Sequence, residues 1–121
     1  MKVIIAGGRD FNNEQMIEDT MAELDFEVTE VVCGGARGAD TLGRWWAVKH
    51  GIPVKLFPAE WEMFGNYAGI KRNHDMGDYA DYLVAFWDGK STGTRDMINY
   101  MEQIGKHGIV KMYQKGVVTN D

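Results

Sequence analysis

The stretch Val3-Ile4-Ile5-Ala6-Gly7-Gly8-Arg9-Asp10 decides the fold. A short apolar run, rich in β-branched residues, stops at a glycine pair, which reads as a buried strand ending in a tight turn. The period then changes. Ile17, Met21 and Leu24 recur at helical spacing, with Glu14, Glu18, Asp19 and Glu23 on other faces. Asn12, with Gln15 three residues on, is read as the N-cap. The unit then repeats. Residues 28–33 read as a second strand closing on Gly34-Gly35. Leu42, Trp45, Trp46 and Lys49 follow at helical spacing up to His50-Gly51. Residues 53–57 read as a third strand, 58–65 as a loop and 67–79 as a helix. Residues 82–87 read as a fourth strand, 94–104 as a helix carrying Met97, Ile98, Met101 and Ile104 on one side, and 109–113 as a last strand. Strands separated by helices of this length imply βαβ units. Right-handed crossovers then put helices on both faces. The expectation is one small doubly wound α/β domain over 1–114, with a mainly parallel five-stranded sheet, and a polar tail over 115–121. In such sheets ligands sit beyond the carboxyl ends of the strands.

Composition agrees with one domain and narrows its partners. A chain of 121 residues, 45% hydrophobic and 26% charged, can bury a core without a staple. It holds 15 glycines, where average usage predicts about eight or nine, and only 2 prolines. The net charge of −5 counts against a nucleic-acid binder, which needs a basic face. The single Cys33 has neither a disulfide partner nor zinc-ligand spacing around it, so neither a metal nor a cofactor is expected. No apolar run approaches bilayer length and no signal segment is evident, so the chain reads as cytoplasmic.

Seven of the 15 glycines fall in three strand-end loops: Gly7-Gly8-Arg9-Asp10, Gly34-Gly35-Ala36-Arg37-Gly38-Ala39-Asp40 and Asp88-Gly89-Lys90-Ser91-Thr92-Gly93-Thr94. Each leads into a helix, whose first amides and dipole favour an anion. Arg9, Arg37 and Lys90 add fixed positive charge. A phosphate-binding rim is one reading; ordinary tight turns are the other. Standard nucleotide motifs do not fit. Gly7-Gly8-Arg9-Asp10-Phe11 is no dinucleotide fingerprint, and the glycine that a Walker loop ending in Gly89-Lys90-Ser91 requires is Val84. The helix before the fourth strand carries Lys71-Arg72-Asn73. This is either a solvated basic face or a place where Arg72 and Asn73 reach the third loop, Arg72 then clamping phosphate or carboxylate.

These residues together, with Ala68-Gly69, Met76 and Met97-Ile98, resemble the SLOG superfamily, in particular its small stand-alone YspA/YpsA-like members, up to about Gly108. The resemblance implies a Rossmann-like fold that binds nucleotides or nucleotide-derived ligands. It also implies a distant similarity to LOG-type phosphoribohydrolases, which split the N-glycosidic bond of nucleoside monophosphates. Against the Arg-Lys pair and P-G-G-x-G-T-x-x-E loop of those enzymes, Arg72 matches the arginine and Gly93-Thr94 the Gly-Thr. Asn73 replaces the lysine, and the loop is longer. Met97 stands where the catalytic glutamate belongs. Asp96 lies one residue early, about 100° round the helix, and serves either the chemistry or the helix dipole. Asp88 and Asp40 either accept ribose hydroxyls or cap their loops.

The candidate catalytic set is therefore Arg72, Asp96 and Asp88. The candidate ligand-binding set is Gly7, Gly8, Arg9, Gly34, Gly35, Arg37, Gly38, Asp40, Arg72, Asn73, Asp88, Gly89, Ser91, Thr92, Gly93 and Thr94. Cys33 is either a reactive thiol at a helix start or a buried structural one. Trp45 and Trp46 cannot both face one narrow stripe, so one is expected against a second copy in a homodimer or larger homo-oligomer. Trp61, Phe64 and Tyr67 either stack on a base or fold their loop onto the domain. His74 lies one turn from Ile70 and near the cleft. Three functions compete: a nucleotide-ligand sensor or sequestering module, an N-glycosidic hydrolase of nucleoside monophosphates, and an interaction domain without a small ligand.

Overall fold

The computed structural model describes residues 1–35 and 38–114; Arg37 and the polar tail over 115–121 lie outside them. The order is β1 (Lys2–Gly7), α1 (Glu14–Ala22), β2 (Glu30–Cys33), α2 (Ala39–Lys49), β3 (Val54–Leu56), α3 (Trp61–Phe64), a 3₁₀ turn (Gly65–Tyr67), α4 (Ala68–Tyr79), β4 (Tyr82–Trp87), α5 (Thr92–Gln103) and β5 (Gly108–Met112). The strands lie β3-β2-β1-β4-β5 and every pair is parallel. The chain thus winds outward one way from β1 and then the other way from β4. β1 and β4 are neighbours, with Gly7 opposite Phe86. Their carboxyl ends form the switch point where a crevice opens.

Side-chain alternation builds two core layers. Val3 and Ile5 of β1 pack with Val31, Val84, Phe86 and, from the helices, Ile17, Met21, Ala39 and Ala47. Ile4 and Ala6 pack with Val32, Leu83, Ala85 and, from α4 and α5, Met76, Ala80, Met97 and Met101. So α1 and α2 cover one face, and α4 and α5 cover the other. β1 and β4 are buried on both faces, which is why they read as continuous apolar runs.

Strand ends shift by one or two residues from the sequence reading, and other details differ more. The N-cap of α1 is Asn13, whose Oδ1 accepts the Met16 amide at 2.9 Å, not Asn12; Gln15 instead donates to Asp19 within the helix. Residues 58–65 are not all loop. Glu60 precedes one turn of helix, α3, which stops at Gly65. A single turn shows no apolar period, so periodicity had nothing to detect. α5 begins at Thr92, two residues before the expected start, so Asp96 lies beyond its first turn and not beside the helix pole. Asp40 is not an N-cap: Gly38 holds that position of α2, and the Asp40 carboxylate turns back to the β2 loop.

Candidate functional site

A cleft of about 770 Å³ opens at the carboxyl ends of β1 and β4. Its floor comes from Ala6, Gly7, Met76 and the buried Met97, and its walls from the β1 loop, α4 and the β4–α5 loop.

The β1 and β2 loops are locked together. Gly38 sits at φ 75°, ψ −124°, a region essentially closed to side chains. A Cβ there would stand 2.2 Å from the Gly8 carbonyl oxygen. That same oxygen accepts the Ala39 amide at 3.2 Å. Gly8 is roofed by Tyr113, whose hydroxyl donates to Asp10 Oδ1 at 2.6 Å and whose ring sits edge-on to Phe11. Burial and then Asp10 push the Tyr113 phenol well above its ordinary pKa, so it remains a donor. Arg9 and Asp10 are exposed on the cleft wall.

In the β2 loop, the Gly34 amide donates to Asp40 Oδ2 at 3.0 Å, and Asp40 is only 6% exposed. The Gly34 carbonyl accepts Arg72 Nη1 at 2.7 Å. Any Cβ on Gly34 would stand 2.3 Å from that nitrogen, so the missing side chain is the seat of the guanidinium. Gly35 is exposed. Cys33, fully buried, has its thiol pushed up to about 11, chiefly by burial and then by Asp40, which makes it a structural thiol and not a nucleophile.

From α4, Arg72 Nε donates to Asn73 Oδ1 at 3.1 Å. Asn73 Nδ2 donates in turn to the Gly93 carbonyl at 3.0 Å and to Asp96 Oδ2 at 3.2 Å. One relay therefore runs from the β2 loop through Arg72 and Asn73 to the start of α5. His74 Nε2 stands 3.5 Å from Asp96 Oδ1, its ring stacked on Tyr100 at 3.9 Å. The Lys71-Arg72 pair is divided. Lys71 faces outward to Asp75 at 2.8 Å and over the Phe64 ring, while Arg72 enters the cleft.

The β4–α5 loop is shaped by Asp88, whose Oδ1 accepts the Lys90 and Ser91 amides, both at 2.8 Å. Trp87 Nε1 donates to the Ser91 carbonyl at 3.0 Å. Gly89 turns the chain, and Asp88 and Lys90 through Thr94 line the cleft. Ser91 is the N-cap of the twelve-residue α5 but makes no side-chain capping bond, so the first amides of that helix rely on other partners.

Gly7, Gly8, Arg9, Asp40, Arg72, Asn73, Asp88, Ser91, Thr92, Gly93, Thr94 and Asp96 thus come together around one cleft. Gly38 supports it from behind by close backbone approach, Gly34 by seating the Arg72 guanidinium, and Gly89 by turning the chain at φ 83°. Met97 is core, and the side chain presented to the cleft beside it is Asp96. Sequence reasoning did not single out Asp10, Asn66 and Ile70 as lining residues, or Tyr113 as the cover of Gly8. Asp10 belongs to the first glycine loop, but the Tyr113 contact joins residues 103 apart and leaves no local signal.

A parallel doubly wound sheet with glycine loops converging at its switch point defines a Rossmann-like domain with a ligand crevice. The family model of the YspA, cpYpsA-related SLOG family (YAcAr) matches residues 1–64, and the chain belongs to that family. The Gene 61 protein of Mycobacterium phage D29 is 34% identical over 113 residues, which span 86% of this chain and 90% of the phage protein. No solved structure matches the chain. Among the described residues no helix is long and apolar enough to cross a membrane, and no group of three or more His, Cys, Asp or Glu side chains is placed to hold a metal ion.

Proposed function

We propose that the protein binds a nucleotide or nucleotide-derived ligand in this cleft, as a cytoplasmic sensor or sequestering module. The observation that carries the proposal is the Gly34–Arg72–Asn73–Gly93 relay, which holds a guanidinium at the switch point before any ligand arrives. Its donors are already oriented, so less side-chain freedom is lost on binding. The uncapped first turn of α5, together with Ser91 and Thr92, supplies neutral donors for phosphate oxygens. Thermal-shift screening against nucleoside monophosphates, ADP-ribose and cyclic nucleotides tests it. A stabilising shift that Arg72→Ala abolishes is expected; no shift with any of them sinks the proposal.

Asp96 favours a second function, N-glycosidic hydrolysis of nucleoside monophosphates. Its carboxylate accepts from Asn73 and faces His74 at the cleft, which suits it to stabilise an oxocarbenium-like sugar or to orient water at C1′ while the base departs. Chromatography for free base after incubation with each monophosphate, with Asp96→Asn alongside, decides between holding and cutting. No free base from the parent removes the hydrolase, and release that survives loss of both Asp96 and Asp88 removes its assignment to these carboxylates. Self-association is the remaining element: Trp46 packs on the core while Trp45 is 65% exposed on the same helix, offering its ring to a second copy. Sedimentation of the parent chain and of Trp45→Glu tests it, and a parent that sediments as one chain refutes it.

A further inference from the structure

The cleft has two chemically different ends. Around Gly93 it is lined by hydroxyls, backbone and charge; at the start of α4 it is lined by Trp61, Asn66, Gly69 and Ile70. Trp61 is 56% exposed, belongs to neither core layer, and rests its ring edge 3.6 Å from where a Gly69 side chain would begin. A tryptophan that only tied its segment to the domain would bury its ring. Of the other two aromatics in this stretch, Phe64 is half-buried against Lys71, and Tyr67 is exposed without lining the cleft. Ile70 lies one helical turn before Asn73, about 5 Å along the axis, so this apolar patch stands roughly a sugar ring's reach from the Arg72–Asn73–Asp96 row.

The geometry points to a base subsite: Trp61 and Ile70 form a shelf on which the nucleobase of a nucleoside phosphate stacks, with the Asn66 amide at its edge and the phosphate directed to the Ser91–Thr94 end. This rests on nucleotide binding at the same cleft. It adds an orientation and a residue that separates nucleotides from simple sugar phosphates. An indole face accepts any base, because every base has a π-face. Asn66, with both donor and acceptor, is the group at this end able to distinguish base edges.

Calorimetric titration of the full chain with AMP, GMP, CMP, UMP and ribose 5-phosphate tests the assignment. At least one monophosphate is expected to bind about tenfold tighter than ribose 5-phosphate. Trp61→Ala should erase that gap and leave ribose 5-phosphate binding unchanged, while Trp61→Phe keeps most of it. Trp61 lies outside the core, so both variants should retain the parent circular dichroism spectrum and melting point. A gap that persists in Trp61→Ala overturns the shelf, as does equal binding of nucleotides and ribose 5-phosphate by the parent; both leave nucleotide-derived binding standing. Failure of all five ligands to bind overturns the shelf and, where ADP-ribose and cyclic nucleotides also give no thermal shift, nucleotide-derived binding with it.

Discussion

Two glycines four residues apart should fail in opposite ways. At Gly38 a methyl group meets backbone: the Gly8 oxygen at 2.2 Å and the Arg9 carbonyl carbon at 2.6 Å, at a φ of 75°. Neither atom can swing aside without moving the β1 loop. Alanine there carries strain of about 2 kcal/mol. Moving the loop also breaks the Ala39-to-Gly8 hydrogen bond, worth about 1 kcal/mol. Gly38→Ala should therefore destabilise the fold by about 3 kcal/mol and lower the melting point by about 10 °C in a chain of this size. At Gly34 the obstacle is the end of a flexible side chain, the Arg72 guanidinium at 2.3 Å. It can turn into water, and the lower entropy of an unfolded alanine offsets part of the lost hydrogen bond, so the net change stays within about 1 kcal/mol. The loss falls on the ligand instead. A guanidinium no longer fixed by Gly34 should bind a nucleoside monophosphate about tenfold more weakly. Thermal denaturation by circular dichroism and calorimetric titration of both variants measure the contrast. If Gly38→Ala melts within about 4 °C of the parent, or Gly34→Ala falls as far as Gly38→Ala, the account of these loops is wrong.

Two further outcomes concern stability. Lys106 Nζ donates to the Gly77, Asp78 and Ala80 carbonyls at 2.7, 3.0 and 2.7 Å, closing the carboxyl end of α4. Lys106→Met should cost about 1–2 kcal/mol in urea denaturation, and an unchanged midpoint would show those carbonyls well served by water. The Cys33 thiol is pushed from 9.0 up to about 11, so its contribution is fully present below pH 9 and is lost as pH rises through 11, where the unfolded thiol releases its proton first. Relative to Cys33→Ala, the parent should lose about 2 kcal/mol between pH 8 and pH 10.5 by urea denaturation. Parallel pH profiles would place that thiol in contact with water.

The sheet was legible because β1 and β4 are buried on both faces and therefore read as unbroken apolar runs. The loops were legible because glycine pairs mark where strands stop. What escaped was set by tertiary packing. Asn12 and Asn13 are both capable caps, and only the entry of the chain into α1 selects Asn13. α3 is a single turn, too short for a period. Motif matching set Met97 at the catalytic position. Yet Met97 and Met101 lie four residues apart on the buried stripe of α5, so the residue turned toward the cleft is its neighbour Asp96. The Tyr113–Gly8 contact joins the last described segment to the first, a pairing that no short-range pattern encodes.

The charges around the cleft sharpen the choice between holding and cutting. Its described lining carries Asp10, Asp40, Asp88 and Asp96 against Arg9, Arg72 and Lys90, so net charge does not attract phosphate. Directed donors must hold it: the fixed Arg72 guanidinium, amides and hydroxyls. Three of the carboxylates serve local architecture: Asp10 accepts from Tyr113, Asp40 from the Gly34 amide, and Asp88 from two loop amides. Asp96 faces instead the α4 side chains Asn73 and His74, of which Asn73 belongs to the Arg72 relay. Asp96→Asn should then split two ligands. Inorganic pyrophosphate gains, because a negative charge in the same cleft is removed, an effect of about 1 kcal/mol or fivefold in affinity for each ligand charge at a separation of about 8 Å and an effective dielectric constant of about 40. A nucleoside monophosphate loses, because the carboxylate that would accept its ribose hydroxyls has become an amide. Calorimetry with both ligands reads the sign of each change. If both gain, Asp96 only repels anions and touches no sugar, and the hydrolase falls with it.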